Sequence, residues 1–320
     1  MSDASQFRSG LLFGLVAYGW WGLVPLYFAA LKGFDVPAWE ILAHRIVWSL
    51  PITIVLTSLF AGWPDVFRVL RNRKLVLTLL LSSVLLAVNW MLYIYATVTS
   101  RVAEASLGYF MMPLANAALG TFFLGEKLRP AHYPALALVA AGVAVPAIAS
   151  GYFPWLAISL TISFGCYGLV RKQIAVESMT GLTVETLLML PPSLAFLVLL
   201  WATDANHMGG DWGLSALIAF SGVVTVVPLL AFTLSIRRLP LLAISFIQFL
   251  SPTIQMLIAV NLLGEVLTPE RIAGFVCVWA AVVIFIADAV WQTRAQRRVR
   301  LRTEYVTPLS DALPSVVPRR

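Results

Sequence analysis

The stretch LGEKLRP at residues 124–130 returns as LGEVLTP at residues 263–269, each time as a polar break in an apolar run. The two copies lie 139 residues apart, and the match reaches well back along the chain. Ser106 falls on Ser245, Phe110 on Phe249, Pro113 on Pro252, Asn116 on Gln255 and Glu126 on Glu265, without a gap. Further upstream, YGWWG at 18–22 answers FGCYG at 164–168 at an offset of 146, so loops of slightly different length separate the halves. An internal duplication is the simplest account of both matches.

The composition fixes the solvent. Of 320 residues 60% are hydrophobic and 12% charged, and the mean hydropathy is +0.88. A soluble domain carries about 25% charged residues, so this chain cannot cover a globule with polar groups. Ten apolar segments stand near 10–30, 37–60, 75–96, 103–124, 131–150, 152–170, 181–202, 212–235, 241–263 and 270–290. Each is close to the roughly 20 residues that a helix needs to cross a bilayer core. The first is too long for a signal peptide, and Lys32 and Gly33 follow it where a small-residue cleavage site would stand. Cys166 and Cys277 sit inside apolar runs, and no CxxC, HExxH or His/Cys cluster occurs. That pattern offers neither a disulfide framework nor a metal site, and no cofactor is expected.

The net charge of +7 does not read as a nucleic-acid patch, because the basic residues fall at the ends of apolar runs. With the N-terminus inside, the cytoplasmic gaps hold Arg8; Arg68, Arg71, Arg73 and Lys74; Lys127 and Arg129; Arg171 and Lys172; Arg237 and Arg238; and the seven arginines of the tail. The other side holds only Lys32, Arg101 and Arg271. The excess of lysine and arginine marks the cytoplasmic face, so both termini are expected there. Five helices per repeat is an odd number, so the second half must cross in the opposite sense. The fold class that follows is an all-α membrane protein of ten transmembrane helices in two inverted five-helix repeats, 8–150 and 151–290. A basic cytoplasmic tail, 291–320, is expected to be disordered. Inverted repeats are a hallmark of secondary transporters, whose substrate sits near midplane between the halves.

The repeated turn has its own chemistry. Gly125 and Gly264 suit the left-handed residue just past a helix end, and Pro130 and Pro269 the first turn of the next helix. Glu126 and Glu265 are then expected at the water interface, near a helix start. Pro113 and Pro252 lie about 16 Å of helix rise before their helix ends, near mid-bilayer. They kink the helix either against a cavity or as packing alone.

Candidate substrate-binding residues lie around these prolines. Tyr109, Met112 and Asn116 share one helical face, as do Gln248 and Gln255. Amides in lipid must find partners, so these faces point inward, as a binding surface or as interhelical glue. Asn89, Trp90, Tyr93, Trp20, Trp21 and Tyr167 could supply aromatic walls, with interfacial anchoring the competing reading for the tryptophans. Glu40 and His44, at i and i+4, form a candidate proton-coupling pair; an ion pair with the adjacent Arg45 is the structural alternative. Glu185 is the acidic residue of the helix that answers theirs in the second half.

The segments HRIVWS near 44–49, NWMLYIYA at 89–96, LGYFMMPL at 107–114 and FLSPT at 249–253, with the paired GE turns, resemble the drug/metabolite transporter superfamily. Within it they look like the EamA-domain permeases, and within those the RarD branch of chloramphenicol-sensitivity permeases. The resemblance covers residues 8–290 and implies a bacterial inner-membrane location. The partners expected are a small-molecule solute and the lipid bilayer, not nucleic acid. The function expected is secondary transport of a drug, amino acid or other metabolite by alternating access, as efflux. Metabolite uptake is the alternative, and a lipid-modifying membrane enzyme a weaker one, because the loops hold no cluster of acids or histidines. Solute identity, coupling ion and oligomeric state stay open.

Overall fold

A computed structural model describes residues 3–125, 129–150, 153–236, 238–239, 247–266 and 268–310, and all regular structure among them is helical. The helices are α1 (Asp3–Lys32), α2 (Ala38–Phe60), α3 (Trp63–Leu70), α4 (Arg73–Val98), α5 (Val102–Phe110), α6 (Met112–Leu124) and α7 (His132–Ser150). They continue as α8 (Trp155–Gln173), α9 (Ser178–Ala202), α10 (Trp212–Ala219), α11 (Ser221–Ile236), α12 (Leu250–Asn261) and α13 (Pro269–Ser310). Five stretches are long and apolar enough to span a bilayer: Ser5–Lys32, Ala38–Phe60, Arg73–Val98, Ser178–Ala202 and Trp212–Phe232. Shorter apolar helices accompany them at His132–Val145, Trp155–Arg171, Leu250–Asn261 and Ile272–Asp288.

The breaks fall where the sequence chemistry puts them, with three additions. Gly125 and Gly264 adopt φ of 68° and 67°, so both GE turns use the left-handed residue that ends a helix. The segment 103–124 parts at Met111 into α5 and α6, with Pro113 in the first turn of α6. Its repeat partner parts at Phe249, and Pro252 stands in the first turn of α12. A proline tolerates those positions because the N–H it lacks has no partner there. The first addition is α3, whose Val66 and Val69 are buried, inside the gap read as a loop. The second is a break at Phe220 that divides the segment 212–235 into α10 and α11. The third is that α13 continues past Trp291 to Ser310, carrying helix into the stretch read as a disordered tail. Residues 311–320 lie outside the described residues, as do Glu126, Lys127 and the segment 240–246.

Packing follows the repeat. Helix α1 lies on α11 and α12; its counterpart α8 lies on α4 and on α5 and α6. Helix α2 packs on α11 while α9 packs on α4, and α2 meets α9, α5 meets α12 and α7 meets α13. Exchanging α1 with α8, α2 with α9, α4 with α11, and α5 and α6 together with α12 carries the α1–α11, α1–α12 and α2–α11 pairs onto α8–α4, α8–α5/α6 and α9–α4. Phe110 and Phe249, matched by the 139-residue offset, stack on one another with ring centroids 6.4 Å apart and planes 23° from parallel.

Small residues let the backbones approach. A Cβ at Gly222 on α11 would run into the carbonyl of Trp48 on α2, and one at Gly108 would sit 2.6 Å from the Ala157 carbonyl oxygen on α8. Helices in lipid associate through such close packing, since burial of apolar surface gains them little there.

The glutamate of the second GE turn departs from expectation. Glu265 is buried, and its two carboxylate oxygens accept hydrogen bonds from the backbone N–H groups of Val102 and Ala103. It caps α5 from the other half of the molecule instead of resting at a water interface beside its own helix. The first turn of α5 exposes unpaired N–H groups and a positive dipole end, which a carboxylate satisfies.

Candidate functional site

Along α2 the turn angle separates Glu40 from Arg45. Residues four apart share a helical face, whereas five residues bring the side chain about 140° round the axis. Glu40 and His44 accordingly come together, with His44 Nε2 3.6 Å from Glu40 Oε1, too long for a hydrogen bond. The closer partner of Glu40 is His207, in the loop between α9 and α10. The His207 backbone N–H donates to Oε1 at 2.8 Å, and Nδ1 lies 2.7 Å from Oε2. The ion pair of Glu40 and His44 with Arg45 is therefore corrected: Arg45 turns to the opposite side, toward α4 and α11.

Arg45 is 5% exposed. Its Nε donates to Thr225 Oγ1 on α11 at 2.6 Å, just beyond the break at Phe220. The guanidinium lies over the Trp90 ring, 4.2 Å from the centroid, and 5.8 Å from the centroid of Phe28. Among the described residues no carboxylate comes within 4 Å of it, and neither Nη donates a hydrogen bond to any of them. A run of rings leads away from this point. Phe28 meets Tyr93 at 6.1 Å, Tyr93 meets Tyr109 at 5.6 Å, Tyr109 meets Phe164 at 6.4 Å and Phe164 meets Tyr167 at 5.7 Å.

A third charged group lies further along α4. Glu185 on α9 is fully buried, accepts a hydrogen bond from Ser82 Oγ and faces Arg171 Nη1 at 3.7 Å. Ser82 and Trp90 are eight residues apart on α4, which is about 12 Å of helix rise. The interior thus carries three levels: Glu185 with Arg171, then Arg45, then Glu40 with His207 and His44. When Leu50–Pro51 of α2 is laid on Leu190–Pro191 of α9, Arg45 falls on Glu185.

The sequence candidates divide around these levels. Asn89, Tyr93 and Tyr109 join the arginine's ring system. Asn89 Nδ2 donates to the Leu160 carbonyl and Ser163 Oγ, both at 3.1 Å, and its Oδ1 accepts from the Tyr109 hydroxyl at 3.1 Å. The Tyr93 hydroxyl is buried with no hydrogen-bond partner. Tyr167 ends the run of rings, and Trp20 packs against the core that holds Phe28 and Tyr93. Trp21 packs against the same core and against Tyr18 and Phe232, and its backbone meets Gln255 on the seam of α1 and α12. Gln255 Nε2 donates to the Trp21 carbonyl at 3.1 Å and to Ser251 Oγ at 3.0 Å, while its Oε1 is unpartnered. Met112 and Pro252 are buried and Gln248 half-buried; the side chains of Asn116 and Pro113 lie outside the described residues. His207 and Thr225 were not legible as site residues, because nothing local links them to α2, 167 and 180 residues away. The break at Phe220 is followed by Ser221–Gly222, a pair that bends helices, which the apolar run around it masked.

A sequence profile of the EamA-like transporter family matches residues 8–147 and again residues 153–287. The chain belongs to that family. It is 42% identical over 293 residues to Protein RarD of Salmonella typhi, covering 91% of this chain and 99% of the relative. It is 40% identical to Protein RarD of Escherichia coli K12, over 91% of this chain and 98% of the relative. A more distant relative in Pseudomonas aeruginosa, named Chloramphenicol-sensitive protein RarD, is 28% identical over 90% of this chain and 97% of its own length. A solved crystal structure matches with a TM-score of 0.59 at 17% identity, covering 89% of this chain and 99% of that one, a likeness of fold alone. An EamA-like chain with several apolar spans is a multi-pass membrane protein and a transporter by family.

Proposed function

We propose that the protein is a secondary transporter that moves a small organic solute across the bacterial inner membrane by alternating access, in the direction of efflux. In this reading ten spans form two inverted repeats, 8–150 and 151–290, with both termini cytoplasmic. The observation that carries the proposal is the exchange symmetry of the packing, with the repeat-related Phe110 and Phe249 in contact where the halves meet. Two halves that pack alike about one centre can rock about it, closing one side as the other opens. The buried charges support the same reading. Charged side chains inside a membrane protein are rare and mark solute or proton pathways, and here they stand at both ends of a central aromatic site.

The substrate is held, on this reading, among Trp20, Tyr93, Tyr109 and Tyr167, with Asn89 fixing Tyr109, Trp21 contributing from α1, and Met112, Asn116, Gln248 and Gln255 from the broken helices. Glu40 and His44, with His207, form the proton-coupling group. The test is transport by purified protein in proteoliposomes against a panel of metabolites and drugs that includes chloramphenicol, with and without a pH gradient. Solute movement driven by the gradient is expected. Glu40→Gln and His44→Gln should each abolish the response to the gradient while leaving solute exchange. Equal loss of exchange in both, with poor folding, would make the pair structural.

A further inference from the structure

We infer that Arg45 is the counter-charge of the solute and that the site takes a small organic monoanion, a carboxylate with an aromatic or alkyl body. The inference rests on the transport reading above. An arginine keeps its proton at physiological pH, so the charge of a residue that is 5% exposed overall must be compensated largely where it lies. Desolvating such a charge costs several kcal/mol. Among the described residues it is offered one neutral hydroxyl, on Thr225, and the faces of Trp90 and Phe28. A cation over an aromatic face gains about 2 kcal/mol when desolvated, which falls short of the cost.

The carboxylates nearest in the interior are already engaged. Glu40 is held by His207, and Glu185 by Ser82 and Arg171. Among the described residues the four N–H donors on the two Nη atoms meet no acceptor, and they are left for a solute in the planar fork that a carboxylate fits with two parallel hydrogen bonds. A dianion such as a phosphate monoester would call for a second cation. Among the described residues the other arginine of these levels, Arg171, is committed to Glu185 about 12 Å further along α4. The unpartnered Tyr93 hydroxyl adds a donor or acceptor to the same aromatic surround. One charge, a planar fork and apolar walls describe a monocarboxylate.

The experiment is thermal unfolding of the purified full-length protein in detergent with benzoate, phenylacetate and indole-3-acetate, each beside its neutral amide, with potassium chloride at matched ionic strength. The acids should raise the unfolding temperature, and the amides and chloride should not. Arg45→Met should weaken the acids' apparent affinity at least about tenfold, and Arg45→Lys should retain part of it. Acids and amides acting alike, no shift with any acid, or an undiminished shift in Arg45→Met would overturn the inference. A shift with chloride equal to that with the acids would make the site one for an inorganic ion and overturn it too. Should Arg45→Met fail to fold, the acid–amide comparison in the wild type decides by itself. Counterflow of labelled phenylacetate in proteoliposomes separates the two claims. Acid binding that needs Arg45, without movement across the membrane, would sink the transport reading and leave the anion site. Movement of neutral solutes with no acid binding would do the reverse.

Discussion

Arg45 and Glu185 fall on one another when α2 is laid on α9, yet the protein treats them in opposite ways. Glu185 is closed in by its own chain, with a serine hydroxyl on one oxygen and Arg171 beside it. Arg45 receives a threonine hydroxyl, two aromatic faces and, among the described residues, no carboxylate. The backbone frame kept the symmetry of the duplication, and the side chains shed it. A neutralised charge stabilises the fold that surrounds it. An uncompensated one is a cost that a structural role does not explain, and it therefore points to function.

The contrast breaks or sharpens under substitution. Arg171→Met strands a buried glutamate and should cost about 3 kcal/mol of stability, the low end for a broken buried pair because Arg171 keeps some exposure. Arg45→Met removes an uncompensated charge at similar volume, so it should leave stability unchanged or raise it by up to about 2 kcal/mol while weakening acid binding at least about tenfold. Thermal unfolding in detergent measures both; an equal loss in the two variants would erase the distinction between them. Ser82→Ala removes a hydrogen bond to a charged oxygen at the Glu185 level and should cost about 2 kcal/mol by the same measurement. Around Arg45 the effects shrink. Tyr109→Phe breaks the bond to Asn89 and should cost about 1 kcal/mol, whereas Tyr93→Phe removes a hydroxyl with no partner and should cost about 0. A larger loss from Tyr93→Phe than from Tyr109→Phe would mean that the Tyr93 hydroxyl does structural work at the centre.

Much of this frame was legible because it is written in local chemistry. The apolar runs, the left-handed glycines at 125 and 264 and the prolines at 113 and 252 act on their own helices. What escaped is long-range. The partner of Glu40 is a loop histidine 167 residues away, and the α5 cap is a glutamate more than 160 residues on. Neither spacing leaves a trace in sequence. The direction of Arg45 was misread because adjacency in sequence suggested adjacency to Glu40, whereas one further step round the helix carries the side chain to another neighbour. Helix α3 was hidden by its shortness, and its two buried valines fill less than a single face of an amphipathic pattern.

The comparison of Arg45 with Glu185 depends on the two halves facing opposite ways, and one labelling experiment addresses that directly. Ala131 and Glu270 are matched by the 139-residue offset, just after the two GE turns. In a chain with Cys166 and Cys277 replaced by serine, Ala131→Cys and Glu270→Cys are treated in intact cells with a membrane-impermeant maleimide. Glu270→Cys should label from outside, and Ala131→Cys only after the membrane is opened. Labelling of both from the same side would contradict the inverted repeat and, with it, the pairing of the two buried charges.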